Sequence, residues 1–333
     1  MQDFLIALSG SVILILLLRK LAHQHGLVDH PGGRKLHEQS TPTIGGVAMF
    51  IAVSVALWLG GGFTDEVSLL MGCAAILVLL GVLDDKHGLS VSLRMMLQVF
   101  LALMVIVGAG GMITHLGSLF GAGDIHLGLF AIPLSVVAFV GGINAMNMID
   151  GADGVAGKMA LVTTLGVGFI FYSAGVTVAL PLVWAMLGAL LGFLLFNTRL
   201  VVKRAWVFMG DAGSMWVGLV LGWFMAQVTG TRVDAEPALV LWLFGIPLID
   251  TLTVMMRRMS WKRSPFAADR THIHHVLEHA GLSIRQTVHI LTLVQLLLVG
   301  MGVGFYLIGA PGWLVFWSFA LLMGAYYYRL RNC

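Results

Sequence analysis

Charge is what this sequence has least of. Only 11% of its 333 residues are Asp, Glu, Lys or Arg, against about 25% in soluble globular chains. A chain so poor in charge cannot cover a water-soluble core, which excludes a cytosolic enzyme, a secreted domain and a disordered protein. No nucleic-acid partner is expected. Cysteine is scarcer still. Cys73 lies inside an apolar run and Cys333 is the last residue, so neither a disulfide framework nor a cysteine metal site follows. No internal repeat is visible, and the inverted halves of many transporters do not show in the hydropathy.

What is present is apolar surface. Hydrophobic residues make up 59% of the chain and its mean hydropathy is +0.95. Apolar runs fall at about 4–18, 44–60, 67–83, 93–113, 129–148, 159–175, 177–196, 206–229, 237–256, 288–308 and 313–328. Runs of this length and uniformity predict α-helices rather than barrel strands, because lipid offers no partner to an open backbone group. The sequence therefore predicts an all-α polytopic integral membrane protein of about eleven transmembrane helices, a single transmembrane domain over 1–333. The least certain stretch is 159–196, where Ser173, Gly175 and Pro181 favour two helices over one kinked helix. The first run sits between Asp3 and Arg19-Lys20 and reads as a retained span. With eleven spans, 18 of the 19 Lys and Arg residues fall on one side and only Arg232 on the other. The positive-inside rule makes the crowded side cytoplasmic, with the N-terminus periplasmic and the C-terminus cytoplasmic.

Nearly all remaining polar residues lie in five segments on that side: 19–43, 84–94, 147–158, 197–214 and 257–287. Arg34 and Lys35 offer cations to phosphate before the Thr41-Pro-Thr-Ile-Gly-Gly46 turn. Asp84 and Asp85 are adjacent at the end of an apolar run, so they face two directions, and Arg94 follows. Asn144, Asn147 and Asp150 are three apart and are expected on one helix face, with Gly151, Asp153 and Gly154 in the turn beyond. Carboxylate, amide and glycine together suit Mg²⁺ and a nucleotide. Phe208 and Asp211 lie between small residues in Trp206-Val-Phe-Met-Gly-Asp-Ala-Gly-Ser214. The fifth segment holds Asp269-Arg270-Thr-His272-Ile-His274-His275, then His279. Helical spacing of His272, His275 and His279 raises zinc, but no further ligand completes the set. Taken singly, each segment also reads as a capped helix end or a basic membrane-adjacent loop. Taken together they are the equipment of Mg²⁺-assisted phosphoryl transfer beside a lipid substrate.

The motifs RKLH with TPTIGG, LDD, NAMNMIDGADG, VFMGDAGS and SPFAADRTHIHH, in this order along nearly the whole chain, resemble those of the polyprenyl-phosphate N-acetylhexosamine-1-phosphate transferases, most of all the WecA-type branch. Met146 stands where Phe is common and Val155 where Leu is common, both apolar exchanges. The resemblance implies transfer of N-acetylglucosamine-1-phosphate from UDP-N-acetylglucosamine to undecaprenyl phosphate. UMP would leave, and the product would prime O-antigen or common-antigen synthesis at the bacterial inner membrane, on its cytoplasmic face. It implies Mg²⁺, with Mn²⁺ as a substitute, held by Asp211 and Asn147. Gly151, Asp153 and Phe208 would receive uracil; Asp84 and Asp85 would sit by the lipid phosphate; Arg94 and Lys35 would contact phosphate; and Arg270, His272 and His274 would meet the pyrophosphate or sugar. Direct displacement and a phospho-Asp211 route both remain open, as do another UDP-N-acetylhexosamine and a homodimer. A polytopic transporter is the competing class. Against it, span interiors carry almost no polar residue besides Gln295.

Overall fold

Inside a bilayer each backbone amide and carbonyl has to be paired within the protein, and in the computed structural model all eleven apolar runs are accordingly helical. The structure describes every residue except 30–39, 199–201, 203, 231, 263, 265–271 and 331–333. Lys35 and Arg270, along with Arg34 and Asp269, therefore lie outside the described residues. The helices are α1 (Gln2–His25), α2 (Gly45–Gly60), α3 (Asp65–His87), α4 (Val91–Gly108), α5 (Ala131–Ile149), α6 (Val155–Ser173), α7 (Leu180–Asn197), α8 (Gly210–Val228), α9 (Leu239–Leu243), α10 (Gly245–Ser260), α11 (Ile273–His279), α12 (Ile284–Leu307) and α13 (Gly312–Leu330). A two-residue antiparallel pairing, β1 (Val28–Asp29) with β2 (Thr41–Pro42), joins α1 to α2.

Seven of these helices are long and apolar enough to cross a membrane: α1, α3, α4, α5 with its leading turn, α6, α7 and α12. The chain is a multi-pass, all-α membrane protein. The apolar helix α2 is shorter, at 16 residues.

The stretch 159–196 is two helices, with 174–179 as the turn between α6 and α7. Two other runs differ from the sequence expectation. The run 93–113 stops being helical at Gly108. Side chains of the central helix take over the carbonyls there, Trp223 Nε1 donating to Ala109 O at 2.7 Å and Gln227 Nε2 to Gly110 O at 3.0 Å. The run 237–256 is broken at Phe244 into α9 and α10, with Pro247, which has no amide proton, in the first turn of α10. The break is hydrogen-bonded from within the bundle. Gln295 Oε1 accepts from Ile246 N at 2.9 Å, while Gln295 Nε2 and Thr163 Oγ1 donate to Leu243 O at 3.0 and 2.9 Å. The one polar residue noted inside the late spans thus satisfies an interrupted helix.

Helix α8 is the axis of the bundle. It packs against α2, α3, α5 and α6, and Trp216, Trp223 and Phe224 on it are wholly buried. Close approach requires small residues where the helices meet. The clearest place is Gly46 against Gly213, where any Cβ on Gly46 would overlap the Gly213 backbone. The lipid-facing character falls to α1, α4 and α12, whose large apolar side chains are widely exposed. Arg232, the lone cation assigned to the opposite side, is held by Glu66 through Nη1 and Nη2 at 2.8 and 2.6 Å.

Candidate active site

The N-terminus of α8 is where the sequence motifs converge. Its first turn is pinned from α2: Gly45 N donates to Phe208 O at 3.0 Å and Gly46 N to Met209 O at 3.0 Å. Phe208 N in turn donates to Pro42 O at 2.8 Å. Gly210 has φ +72°, and a Cβ there would meet Asp85 Oδ2 at 2.6 Å and Thr43 O at 3.0 Å, so only glycine lets α8 start this close to α3. The backbone of Phe208 is fixed by these bonds, and the residue is partly exposed.

Asp84 and Asp85 face two directions, as their adjacency predicts. Asp84 is 7% exposed; its Oδ1 accepts from Leu89 N at 2.7 Å and its Oδ2 from Arg94 Nη1 at 2.6 Å. This ties the end of α3 to the start of α4. Asp85 turns to α8, where Oδ1 accepts from Asp211 N at 3.1 Å, with the Ala212 amide also within its reach. A carboxylate on the exposed amides of a helix N-terminus is favoured by both hydrogen bonding and the helix dipole.

Arg94 bridges to the next acid, its Nη1 standing 3.9 Å from Asp211 Oδ2. The other Asp211 oxygen, Oδ1, accepts from Asn147 Nδ2 at 2.6 Å, and the same amide reaches Ser214 Oγ at 3.0 Å. Asn147 thus joins α5 to α8. Asn144, expected on the same face, instead donates to Gln98 Oε1 on α4 at 2.7 Å and to Val140 O at 2.8 Å. Asp150 leaves that face because α5 ends at Ile149. It remains electrically part of the site: burial, then the charges of Asp211, Asp85 and Asp153, push its carboxyl up to about 8.

The histidine segment closes over the turn after α5. His272 is not on the face of α11 with His275 and His279. It is the extended residue that precedes the helix, with ψ 153°, and its Nδ1 pairs with Asp250 Oδ2 at 2.8 Å. Asp250 Oδ1 also accepts from Ile273 N at 2.8 Å. His274 is 1% exposed and stacks on His272, and among the described residues neither of its ring nitrogens has a hydrogen-bond partner. Its ring lies against Gly151, where a Cβ would meet Cε1 at 2.7 Å. Burial, with the neighbouring His275 adding to it, brings the His274 imidazole down to about 3. His274 is therefore neutral near pH 7 and supplies no cationic charge.

The described residues thus bring together Asp84, Asp85, Arg94, Asn147, Asp150 and Asp211, and place Gly151 against His274. Asp153 lies in the same turn as Gly151 and within electrostatic range of Asp150.

The family model described as glycosyl transferase family 4 matches residues 67–229, which include Asp84, Asn147 and Asp211. The chain is 33% identical over 324 residues to the undecaprenyl-phosphate alpha-N-acetylglucosaminyl 1-phosphate transferase of Escherichia coli (strain K12), covering 97% of this chain and 88% of that one. It is 35% identical, with the same coverage, to the protein of that name from Salmonella typhi. To the probable undecaprenyl-phosphate N-acetylglucosaminyl 1-phosphate transferase of Bacillus subtilis it is 32% identical over 87% of this chain and 80% of that one. The chain belongs to the polyprenyl-phosphate N-acetylhexosamine-1-phosphate transferase family.

The Mg²⁺ expected from the sequence raises the question whether these side chains suit a divalent cation. Among the described residues no group of three or more His, Cys, Asp and Glu is arranged as a closed metal site, and the zinc reading finds no support. Mg²⁺ asks for less: one or two carboxylates, with water and substrate phosphate completing the shell. Asp211 fits that demand as the carboxylate, and Asn147, whose Nδ2 donates to it at 2.6 Å, would turn its amide oxygen toward the ion. The fit is also electrostatic. Asp85, Asp150, Asp153 and Asp211 are close enough to repel, and Arg94, already shared with Asp84, is the guanidinium beside them.

Sequence reasoning passed over Asp250. It lies inside the apolar run 237–256, and nothing local marks it as the partner of His272. Its 2% exposure inside a helix is the signal, and only packing reveals it.

Proposed function

We propose that this protein transfers N-acetylglucosamine-1-phosphate from UDP-N-acetylglucosamine to undecaprenyl phosphate, releasing UMP, at the cytoplasmic face of the bacterial inner membrane, as the first membrane step of O-antigen or common-antigen synthesis. The observation that carries the reading is the meeting of Asp84, Asp85, Arg94, Asn147 and Asp211 from α3, α4, α5 and α8 at one end of the bundle. In the eleven-span reading of the sequence, 18 of the 19 Lys and Arg residues fall on the side of these segments, which supports an inside-facing site.

The reaction joins two anions. A phosphomonoester has a second pKa near 6, so the acceptor is mostly dianionic near pH 7 and needs little deprotonation. Its oxygen attacks the sugar-bearing phosphorus, and the bond from that phosphorus to the UMP oxygen breaks. The barrier lies in bringing negative charges together, so catalysis rests on positioning and charge stabilisation. Mg²⁺ held by Asp211 and Asn147 would supply Lewis-acid neutralisation of the pyrophosphate. Arg94 is aimed between Asp84 and Asp211 and presents its remaining N–H groups to an entering phosphate. Both Asp84 oxygens are engaged, by Leu89 N and Arg94, so Asp84 orients Arg94 rather than removing a proton. Asp85 holds the start of α8 in register. Phe208 offers an aromatic face to uracil. Neutral His274, beside Gly151, has two ring nitrogens for hydrogen bonds to the sugar-phosphate end.

Purified protein, undecaprenyl phosphate, Mg²⁺ and a panel of UDP-sugars test the proposal through UMP release. Release is expected with UDP-N-acetylglucosamine or a close N-acetylated relative, and not with UDP-glucose or UDP-muramyl-pentapeptide. A site that pairs buried groups with the acetamido substituent rejects analogues that leave those groups unmet. Robust turnover of the muramyl donor would move the protein to the peptidoglycan-initiating branch.

A further inference from the structure

A second basic site lies behind the Gly151–Gly154 turn. The start of α6, the end of α7 and the start of α12 meet there and enclose a small pocket of about 20 Å³, lined by Lys158, Arg285, His289, Thr198 and Asp153 over the apolar side chains of α12. Neither Asp84, Asp85, Arg94, Phe208 nor Asp211 lines it. Lys158 and Arg285 are near enough to repel each other, and among the described residues neither has a carboxylate within ion-pair distance. Asp153 is the one acid on the rim, and it is engaged elsewhere. Two cations and a histidine gathered around one pocket without a paired acid constitute a site for an anion.

The position of the pocket names the class of anion. All three helices are long and apolar enough to cross a membrane. On α12, Arg285 and His289 are one turn apart, and the exposed apolar side chains Ile290, Leu293 and Leu297 begin immediately beyond them. The basic pocket therefore sits at the level where the lipid-facing surface starts, which is the depth of phospholipid phosphate. Basic pockets between spanning helices are suited to acidic head groups. We propose that Lys158, Arg285 and His289 form a phosphate-binding site adjoining the reaction centre, occupied by the head group of an anionic phospholipid. Its wall includes Asp153, which the two sites share, so an occupant braces the Gly151–Gly154 turn. The proposal does not depend on the assigned reaction.

Native mass spectrometry of the full-length protein, stripped of lipid in detergent, tests it with three probes: phosphatidylglycerol, phosphatidylcholine of the same acyl chains, and inorganic phosphate. Each cation near a surface phosphate contributes a factor of about 5, so Lys158→Gln with Arg285→Gln should weaken phosphatidylglycerol binding roughly 25-fold. Lys20→Gln, an exposed cation at the end of α1, should change nothing. Phosphatidylglycerol adducts that exceed those of phosphatidylcholine and disappear in the double variant support a lipid occupant. Phosphate binding lost in the double variant, without any preference between the two lipids, keeps the anion site and assigns it to a free phosphate. Equal binding of all three probes by wild type and double variant overturns the proposal. If Lys158→Gln fails to insert, Arg285→Glu on the exposed rim carries the same comparison, and unchanged phosphatidylglycerol binding by that variant overturns it equally.

Discussion

Replacing Asp211 by Asn separates the chemistry of the site from its architecture. The variant keeps an oxygen that can accept from Asn147 Nδ2, now at 2.6 Å from Asp211 Oδ1, and it leaves the Asp211 amide free to donate to Asp85. The fold should therefore persist. The variant removes one negative charge from a group that also includes Asp85, Asp150 and Asp153, where burial and then repulsion push the Asp150 carboxyl up to about 8. Thermal stability without metal should accordingly stay level or rise. Activity should move the other way. Losing the charged ligand to a hard cation removes about 4 kcal/mol of transition-state stabilisation, a fall in turnover on the order of 1,000-fold. The assay is UMP release from UDP-N-acetylglucosamine and undecaprenyl phosphate with Mg²⁺, paired with Mn²⁺ binding followed by electron paramagnetic resonance. Retention of more than about a tenth of wild-type turnover, a loss under ~1.4 kcal/mol, would refute the ligand assignment. So would unchanged Mn²⁺ affinity.

Phe208→Ala should raise KM for the UDP-sugar by about 5- to 150-fold, the equivalent of 1–3 kcal/mol of base stacking, with a smaller loss in kcat; a defect confined to kcat counts against stacking. Asp250→Ala leaves the His272 ring and the Ile273 amide without their acceptor, at about 1–3 kcal/mol for each buried group, so hydrogen exchange across α11 should accelerate, and unchanged protection would contradict this role. Two opposite pH effects are expected in the metal-free protein. His274, lowered to about 3 in the fold, binds its proton only in the unfolded state between about pH 6.5 and 3, so it costs stability as pH falls through that window; His274→Gln should flatten that slope in thermal denaturation. Asp150, raised to about 8, is protonated in the fold and ionised when unfolded between about pH 4 and 8, so stability falls as pH rises there; Asp150→Asn should raise Tm at pH 8 and leave it unchanged at pH 4, and an equal gain at both would remove the repulsion argument. In a cysteine-free background, single cysteines at 111–128 should react with an impermeant reagent in intact cells and those at 257–262 only after lysis; the reverse pattern overturns the orientation.

The sequence by itself determined the solvent, the helices and the end of the bundle that carries chemistry. Apolar runs must become helices in lipid, so most of their limits could be read directly, including the two helices within 159–196. Ionisable residues are costly in lipid, so their crowding into five segments marked the site, and the adjacency of Asp84 and Asp85 already required two directions. What the tertiary structure decided was each partner. Asp85 is committed to the amides of α8, Asp84 to Arg94, Asn144 to Gln98 and Asn147 to Asp211, pairings 10 to 126 residues apart in the chain. No local pattern encodes them, because each depends on how close two helices can approach, and that is set by glycine contacts such as Gly46 on Gly213. The break at Phe244 was hidden for the same reason. An interrupted helix survives in an apolar interior only when other side chains pair its freed backbone groups, and Gln295 and Thr163 reach it from helices distant in sequence. Asp250 escaped notice because burial gives it a meaning that its neighbours in sequence do not: held at 2% exposure, it is stable there through the His272 ring and the Ile273 amide that three-dimensional packing brings to it.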